Sequence, residues 1–373
     1  MIYSIAAALA IRTAIAPRPE SVSRAGNGQG LVTVLKPLCG ADPDTYECLR
    51  SFCMQELPQY QVVFGVREAN DAAVPIVRRL QREYPHLDLS LVIDPRSHGC
   101  NRKVSNLINM MPAVRHDYLV LSDSDVRVEP DYLRRIAAPL ADERVGIVTC
   151  CYRGVARAGV WSLLGAMFIN DWFMPSVRVF AMLGFRSFAF GASIGIRRAV
   201  LARIGGFPAV AGQLADDYRL GELTRRLGLT TVLSEVEVET MVGERSAIEL
   251  ISHELRWRRT IRILSPSGYG FSFITFGLPV TALQVAVAGG SAAALAIFAV
   301  TLLSNASLHV RGRHGVHRRR WLLVPFRDLL HFALWGWSFA TRRVQWRSDL
   351  YHVAADGSVR TESAHVYVPD RHG

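Results

Sequence analysis

The 373 residues weigh 41.4 kDa, enough for one large domain with an appendage or for two domains. Half of them are hydrophobic, the mean hydropathy is +0.17 and only 20% are charged, a balance that argues against a purely soluble enzyme and against an all-membrane bundle. Lys and Arg outnumber Asp and Glu by 43 to 32, and the formal charge of +11 favours anionic partners such as lipid headgroups, phosphorylated substrates or nucleic acid.

The N-terminal MIYSIAAALAIRTAIA is apolar but interrupted by Arg12, and short against the ~20 residues of a full span. Residues 1–17 read as a short or interfacial anchor, with a signal-peptide core as the alternative, and 18–30 as a polar, glycine-containing linker. From residue 31, apolar runs alternate with amphipathic stretches. Strands are predicted at Val32–Leu35, Tyr60–Val66, Leu87–Ile93, Tyr118–Leu121 and Val145–Cys150, and helices at Thr45–Gln55, Ala73–Tyr84, Lys103–Met111 and Pro130–Ala138. This alternation predicts an α/β, Rossmann-like domain with a mostly parallel sheet over 31–264, binding its ligands outside the carboxyl ends of the strands. The six cysteines lie between 39 and 151 without CxxC spacing, which speaks for a reduced compartment and against zinc.

YLVLSDSDVRV ends its apolar run in Asp123 and Asp125. Two carboxylates at a strand's carboxyl end can hold a divalent cation on a diphosphate, although Asp-x-Asp alone also describes a solvated turn. The same spelling at Asp42 and Asp44 precedes a helix, where capping is the expected job. In GQLADDYRLGELTRRLG a loop brings Asp216 and Asp217 to a helix start; capping accounts for one, and the other is suited to deprotonate an attacking hydroxyl. In SHELRWRRTIRIL, His253, Arg256 and Trp257 share a helical face and are suited to grip a pyrophosphate leaving group and an acceptor. The same segment also reads as a basic interfacial helix, with Arg256, Arg258, Arg259 and Arg262 on lipid headgroups.

Residues 265–341 are membrane-like. Phe271–Ser304 is nearly uncharged and broken at Gly289-Gly290, which predicts two short spans in a hairpin or one long tilted span. A further apolar run, Arg320–Thr341, carries Arg327, Asp328 and His331, which need partners inside a bilayer. Residues 342–373 read as a tail. Arginines cluster at 256–262, 311–320 and 342–347, beside apolar segments, so a membrane surface and phosphorylated substrates explain the charge better than nucleic acid.

The ordered set KPLCGADPD, VREANDAAV, CNRKVSN, LSDSDVRV, FAFGASIGIRR, LADDYRL and HELRW, spread over Leu31–Tyr351, resembles the ceramide glucosyltransferase family of GT-A glycosyltransferases, and within it the bacterial branch associated with hopanoid biosynthesis. The resemblance implies a GT-A catalytic domain followed by C-terminal transmembrane helices. It implies donor-nucleotide contacts from Asp71, Lys103 and Asp123, with Glu68 where some relatives have another acid and Asp125 completing an Asp-x-Asp. Asp217 falls on the family's general base. His253-x-x-Arg256-Trp257 stands for the family's Gln/Arg-x-x-Arg-Trp motif, with the histidine a departure. The implied activity is inverting transfer of a hexose from a UDP-sugar donor to a lipid alcohol, at the cytoplasmic face of a bacterial inner membrane, with Mg²⁺ or Mn²⁺ as cofactor. N-acetylglucosamine onto a hopanoid polyol is the first pair expected and glucose onto ceramide the alternative. A processive polysaccharide synthase shares these motifs but usually has more spans. A non-enzymatic membrane-binding module would not need Asp123, Asp125, Asp217 and Arg256-Trp257 together.

Overall fold

The computed structural model describes residues 31–184, 189–311, 322–341, 343–346, 349–354 and 357–361; the expected anchor and linker at 1–30 and nearly all of the basic loop at 311–320 lie outside them. The first half runs β1 (Val32–Pro37), α1 (Thr45–Ser51), β2 (Tyr60–Val66), α2 (Ala73–Glu83), β3 (Asp88–Ile93), α3 (Arg102–Met110), β4 (Tyr118–Ser122), β5 (Val126–Arg127), α4 (Tyr132–Ala137) and β6 (Val145–Ala156). There follow α5 (Gly159–Met167), a π-helical turn (Phe168–Phe173), α6 (Met174–Met182), β7 (Ser193–Arg197), α7 (Arg198–Arg203), α8 (Asp216–Arg226) and β8 (Thr230–Val242). The last elements are α9 (Ala247–Leu264), α10 (Pro266–Phe271), α11 (Gly277–Val287), α12 (Ala292–Arg311), α13 (Val324–Trp337), β9 (Arg343–Trp346), β10 (Asp349–Val353) and β11 (Val359–Thr361).

Eight strands form one sheet in the order β3-β2-β1-β4-β7-β6-β8-β5. β1 to β4 are mutually parallel, as are β6 and β8, whereas β7 runs antiparallel between β4 and β6. The mostly parallel α/β sheet therefore holds, with a reversed strand that the short SIGIR run did not announce. This reversal has a spatial result: the amino end of β7 lies at the same edge as the carboxyl ends of β1, β2, β4, β6 and β8.

Period-2 alternation buries both faces. Val34, Val62, Phe64 and Val120 enter one core with Leu49, Val77 and Leu133 from α1, α2 and α4. Leu35, Val63, Leu119 and Leu121 enter the other with Leu107, Leu201 and Leu220 from α3, α7 and α8. Each fully buried aliphatic side chain contributes roughly 1.5–3 kcal/mol, so the sheet is a rigid base for its edge loops.

Among the described residues no single helix is long and apolar enough to cross a membrane; Pro266–Thr275 and Gly277–Val287 reach that composition only as a pair bent by 63°. The predicted break is real: Gly289 and Gly290 adopt φ of 58° and 74°, which glycine takes without steric penalty, and they separate α11 from α12. Arg327 and Asp328 of α13 have polar partners. Arg327 donates to Glu254 on α9 at 2.6 Å, and Asp328 accepts from Leu278 N at 3.0 Å and Asn305 at 3.3 Å, tying α11 and α12 to α13. His331 is enclosed by Trp172, Phe276 and Phe168, with ring centroids 4.2, 4.9 and 5.3 Å away. In the expected tail, β9 to β11 form an antiparallel sheet, and Gly357 O accepts from Leu214 N at 3.2 Å, touching the loop before α8.

Candidate active site

The shared strand edge opens into a cavity of about 2300 Å³, lined by Glu68, Asp71, Lys103, Asp123, Asp125, Asp217, His253, Arg256 and Trp257. All the sequence-predicted site residues thus come together around one space, although they lie up to 189 positions apart.

At the polar end, Asp71, Asp123 and Asp125 are each held by a named donor. Both Asp71 oxygens accept from Gly40 N at 3.0 Å, and Oδ1 also accepts from Ala73 N at 2.8 Å. Asp71 thereby shapes the β1–α1 loop, where Gly40 takes a φ of 73°. Asp123 follows β4 directly and is paired with Lys103 at 2.6 Å; the same ammonium lies 3.7 Å from Asp216. Burial opposes the charge on Lys103, but Asp123, Asp216 and Asp217 hold its pKa well above the usual lysine value. Asp125 accepts from Thr240 at 2.8 Å because β5 pairs with β8 beside it, and burial together with Asp123 raises its pKa.

Beneath this loop lies Lys36, a residue the sequence reading missed. Its Nζ donates to the Asp123 carbonyl and, at 3.3 Å, to Ser122, while sitting 4.0 Å over the Phe52 ring. Burial lowers its pKa to about 8, so it is still mostly charged at pH 7 and offsets the Asp123/Asp125 pair from below. Only its place at the end of β1 hinted at this, since a lysine closing a buried strand must find a partner.

Asp123 and Asp125 fit a divalent cation whose shell is completed by substrate. Among the described residues no group of three His, Cys, Asp or Glu side chains could hold a metal alone. Magnesium is usually bound by one or two carboxylates plus substrate phosphates, which is the donor set this loop offers.

Asp216 and Asp217 open α8 but do different jobs. Asp216 is buried and accepts from Asn101 at 3.2 Å. Asp217 faces the cavity with Oδ2 accepting from Gly191 N and Oδ1 from Tyr218 N, both at 2.7 Å. A Cβ at Gly191 would sit 3.2 Å from both Asp217 Oδ2 and Lys103 Nζ, so a side chain there would crowd both groups. Burial, then the neighbouring Asp216, lifts the Asp217 pKa to about 6, which suits a general base near neutrality.

The expected capping by Asp42 and Asp44 is corrected. Asp44 occupies the N-cap position of α1 without a side-chain capping bond, and its carboxylate pairs with Arg157 instead. That partner lies just past β6 and 113 residues away, beyond the reach of local spacing arguments.

On α9, His253, Arg256 and Trp257 line the cavity, as the helical spacing predicts. His253 Nδ1 donates to Glu244 at 2.6 Å and its ring meets Trp257 edge-on at 5.4 Å. The unusual histidine therefore braces the indole against the end of β8. Trp257 also touches Phe168, Phe173 and Tyr152 at centroid distances of 5.9, 5.5 and 6.3 Å. Arg258, read from sequence as a surface arginine on headgroups, is instead only 1% exposed. The same cavity also has apolar lining, with Val177, Phe180, Ile248, Phe271 and Ile274.

A mannosyltransferase from Pyrobaculum calidifontis, solved with GDP-Man and Mn²⁺, superposes with a TM-score of 0.52 at 20% identity, covering 91% of this chain and 94% of that one. It shows a shared glycosyltransferase fold. Ceramide glucosyltransferase 3 of Caenorhabditis elegans is 26% identical over 232 residues, 61% of this chain and 49% of the relative. Ceramide glucosyltransferase of Komagataella phaffii is 34% identical over 101 residues, 26% of this chain and 20% of the relative. The chain thus spans about half or less of the length of these relatives. The model of glycosyl transferase family 21 matches residues 1–359, nearly the whole sequence. A GT-A-like sheet, an acid-rich strand edge and that match agree: the chain belongs to glycosyl transferase family 21.

Proposed function

We propose that this protein is an inverting glycosyltransferase that moves a hexose from a UDP-sugar to the hydroxyl of a membrane lipid. The observation that carries the reading is the continuity of one cavity from Asp71, Lys103 and Asp123 past Asp217 and Trp257 to the apolar walls at Phe180, Phe271 and Ile274. A sugar nucleotide is an anion and a lipid alcohol is mostly hydrocarbon, and the two ends match those two chemistries.

In this mechanism Asp217 takes the proton from the lipid hydroxyl as its oxygen attacks the anomeric carbon, and the bond to UDP breaks on the opposite side. Arg256 offsets the charge that develops on the departing diphosphate. Lys103 leaves Asp123 to meet a phosphate oxygen. A divalent cation bound by Asp123 and Asp125 would neutralise the leaving group further. Among the described residues no second carboxylate is placed as a covalent nucleophile, so a single displacement converts an α-linked donor into a β-glycoside.

The resemblance to the hopanoid-associated branch favours N-acetylglucosamine onto a hopanoid polyol. The names of the ceramide glucosyltransferase relatives favour glucose onto ceramide as the second pair. Exposed apolar side chains on α11 to α13, Val287 at 81% and Leu303 at 68% among them, support membrane association. The reading places the cavity at the cytoplasmic face of a bacterial inner membrane.

The test is UDP release by purified full-length protein with each UDP-sugar, with and without each lipid. Acceptor-dependent release and a β-anomeric glycolipid by NMR are expected. Release without a lipid product, polymer formation or an α-anomer overturns the reading.

A further inference from the structure

Behind the face of α9 that lines the cavity lies an ionic cluster that the transfer mechanism does not use. Glu254 accepts from Arg258 on the same helix at 3.1 Å and from Arg327 on α13 at 2.6 Å. Glu254, Arg258, Arg327 and the adjoining His331 are 3%, 1%, 5% and 2% exposed. Two guanidinium groups share one carboxylate, and among the described residues Nε and Nη1 of both arginines, and Nε2 of His331, have no hydrogen-bond partner. Both guanidinium groups instead stack over Phe168, 5.2 and 5.6 Å from its centroid. Burying such a cluster costs several kcal/mol per ion before the pairing recovers it, so it is a poor way to hold two helices together. It is a good way to hold them in one orientation, because rotation of either helix would strand a buried charge.

The orientation matters at this point of the chain. Glu254 and Arg258 each follow, by one residue, a side chain that lines the cavity: His253 and Trp257. Adjacent residues stand about 100° apart around a helix, so the clamp grips α9 on a flank beside its working face. Phe168, under both arginines, is also the ring that Trp257 meets edge-on at 5.9 Å. A second tie has the same sense: Arg262 donates to Thr341 O, past the end of α13, at 2.7 Å.

We propose that Arg327 is a positioning residue for the transfer: by clamping Glu254 it fixes the rotation of α9, and so the aim of Arg256 and Trp257. The apolar C-terminal helices would then be part of the catalytic apparatus and not only an attachment. The proposal rests on the reading of Arg256 and Trp257 given above. A displacement on the order of 1 Å at a reacting group can lower a rate by ~10²-fold.

The experiment uses full-length protein in detergent, where membrane attachment is not at issue. Arg327→Met is expected to lower kcat by ~10–100-fold while UDP affinity by calorimetry changes less than about threefold, because the groups at the strand edge are untouched. Amide exchange over 253–260 should rise. Arg327→Lys, which keeps the charge but not the fork, should fall between Met and wild type. The triple variant Glu254→Met, Arg258→Leu, Arg327→Met removes every stranded charge, so it should fold while staying impaired in kcat. Wild-type kcat in a folded Arg327→Met or triple variant overturns the proposal. So does loss of folding in all three proteins, which would make the clamp a folding element only. If wild type itself transfers no sugar, the transferase reading fails separately, and unchanged exchange over 253–260 in Arg327→Met overturns the clamp by itself.

Discussion

The two ends of the cavity are built in opposite ways. At the strand edge, charged groups face the space: Lys103 reaches Asp123, Thr240 holds Asp125 and backbone amides hold Asp217. At the helical end Arg256 still faces the cavity, but Glu254, Arg258 and Arg327 are sealed behind α9 while Phe180, Phe271 and Ile274 line the wall. One end presents its charged groups to the space, and the other buries a cluster of them behind a helix. The difference teaches that similar density of ionisable residues in a sequence can serve chemistry in one place and geometry in another.

The sharpest way to break this comparison is Asp217→Asn, which keeps size but cannot accept a proton. Turnover is expected to fall by ~10²–10⁴-fold with UDP-sugar binding retained; near-normal turnover removes the general base from the polar end. The pH dependence refines the same point. With a pKa of about 6, Asp217 is protonated and idle below that value, so kcat/KM should climb as pH rises through 6. The folded state binds this proton more tightly than the unfolded chain, so its contribution to stability is present at low pH and lost as pH rises through 6. Asp217→Asn removes this titration but sets an NH2 against Gly191 N or Tyr218 N, so the check is the pH profile: Tm of the wild type should fall relative to that of the variant as pH rises through 6, and parallel profiles contradict the burial argument.

Next in size is Arg256→Ala, expected to cost ~10²–10³-fold in kcat as loss of one stabiliser of developing charge. Membrane binding, measured by vesicle flotation, should persist. The reverse pattern would assign Arg256 to lipid headgroups. At the apolar end, Ile274→Asp should raise KM for the lipid acceptor about tenfold and leave UDP binding alone, since a carboxylate cannot share a site with hydrocarbon. An effect on UDP affinity instead would mean that the two ends are not separate. The smallest effect is expected from Asp44→Ala. Its pair with Arg157 is partly exposed, so about 1 kcal/mol or less of stability and no turnover should be lost; a large loss of activity would enrol this second Asp-x-Asp in donor binding.

The polar end was legible in the sequence because strand periodicity and strand-end chemistry are local. Tyr60–Val66 was placed to the residue, and Asp123 at the end of β4 followed from an apolar run ending in acid. What escaped were pairings across long separations. Lys36 under Asp123 is 87 residues distant, Asp44 with Arg157 is 113, and Glu254 with Arg327 is 73. The reversed β7 escaped because a five-residue run, SIGIR, carries no sign of direction. Arg258 was misjudged because arginine on an amphipathic helix is normally solvated, and only a carboxylate four residues earlier with a second arginine opposite permits its burial.

The grip on Asp217 has a further result. With one oxygen on Gly191 N and the other on Tyr218 N, this carboxylate cannot swing toward its partner in the reaction. On the proposed mechanism the acceptor would have to bring its hydroxyl to a fixed point. Among several hydroxyls on one lipid, selection would then follow distance from the hydrocarbon anchor and not intrinsic acidity, so regiochemistry would be set as by a ruler laid from Phe271 to Asp217.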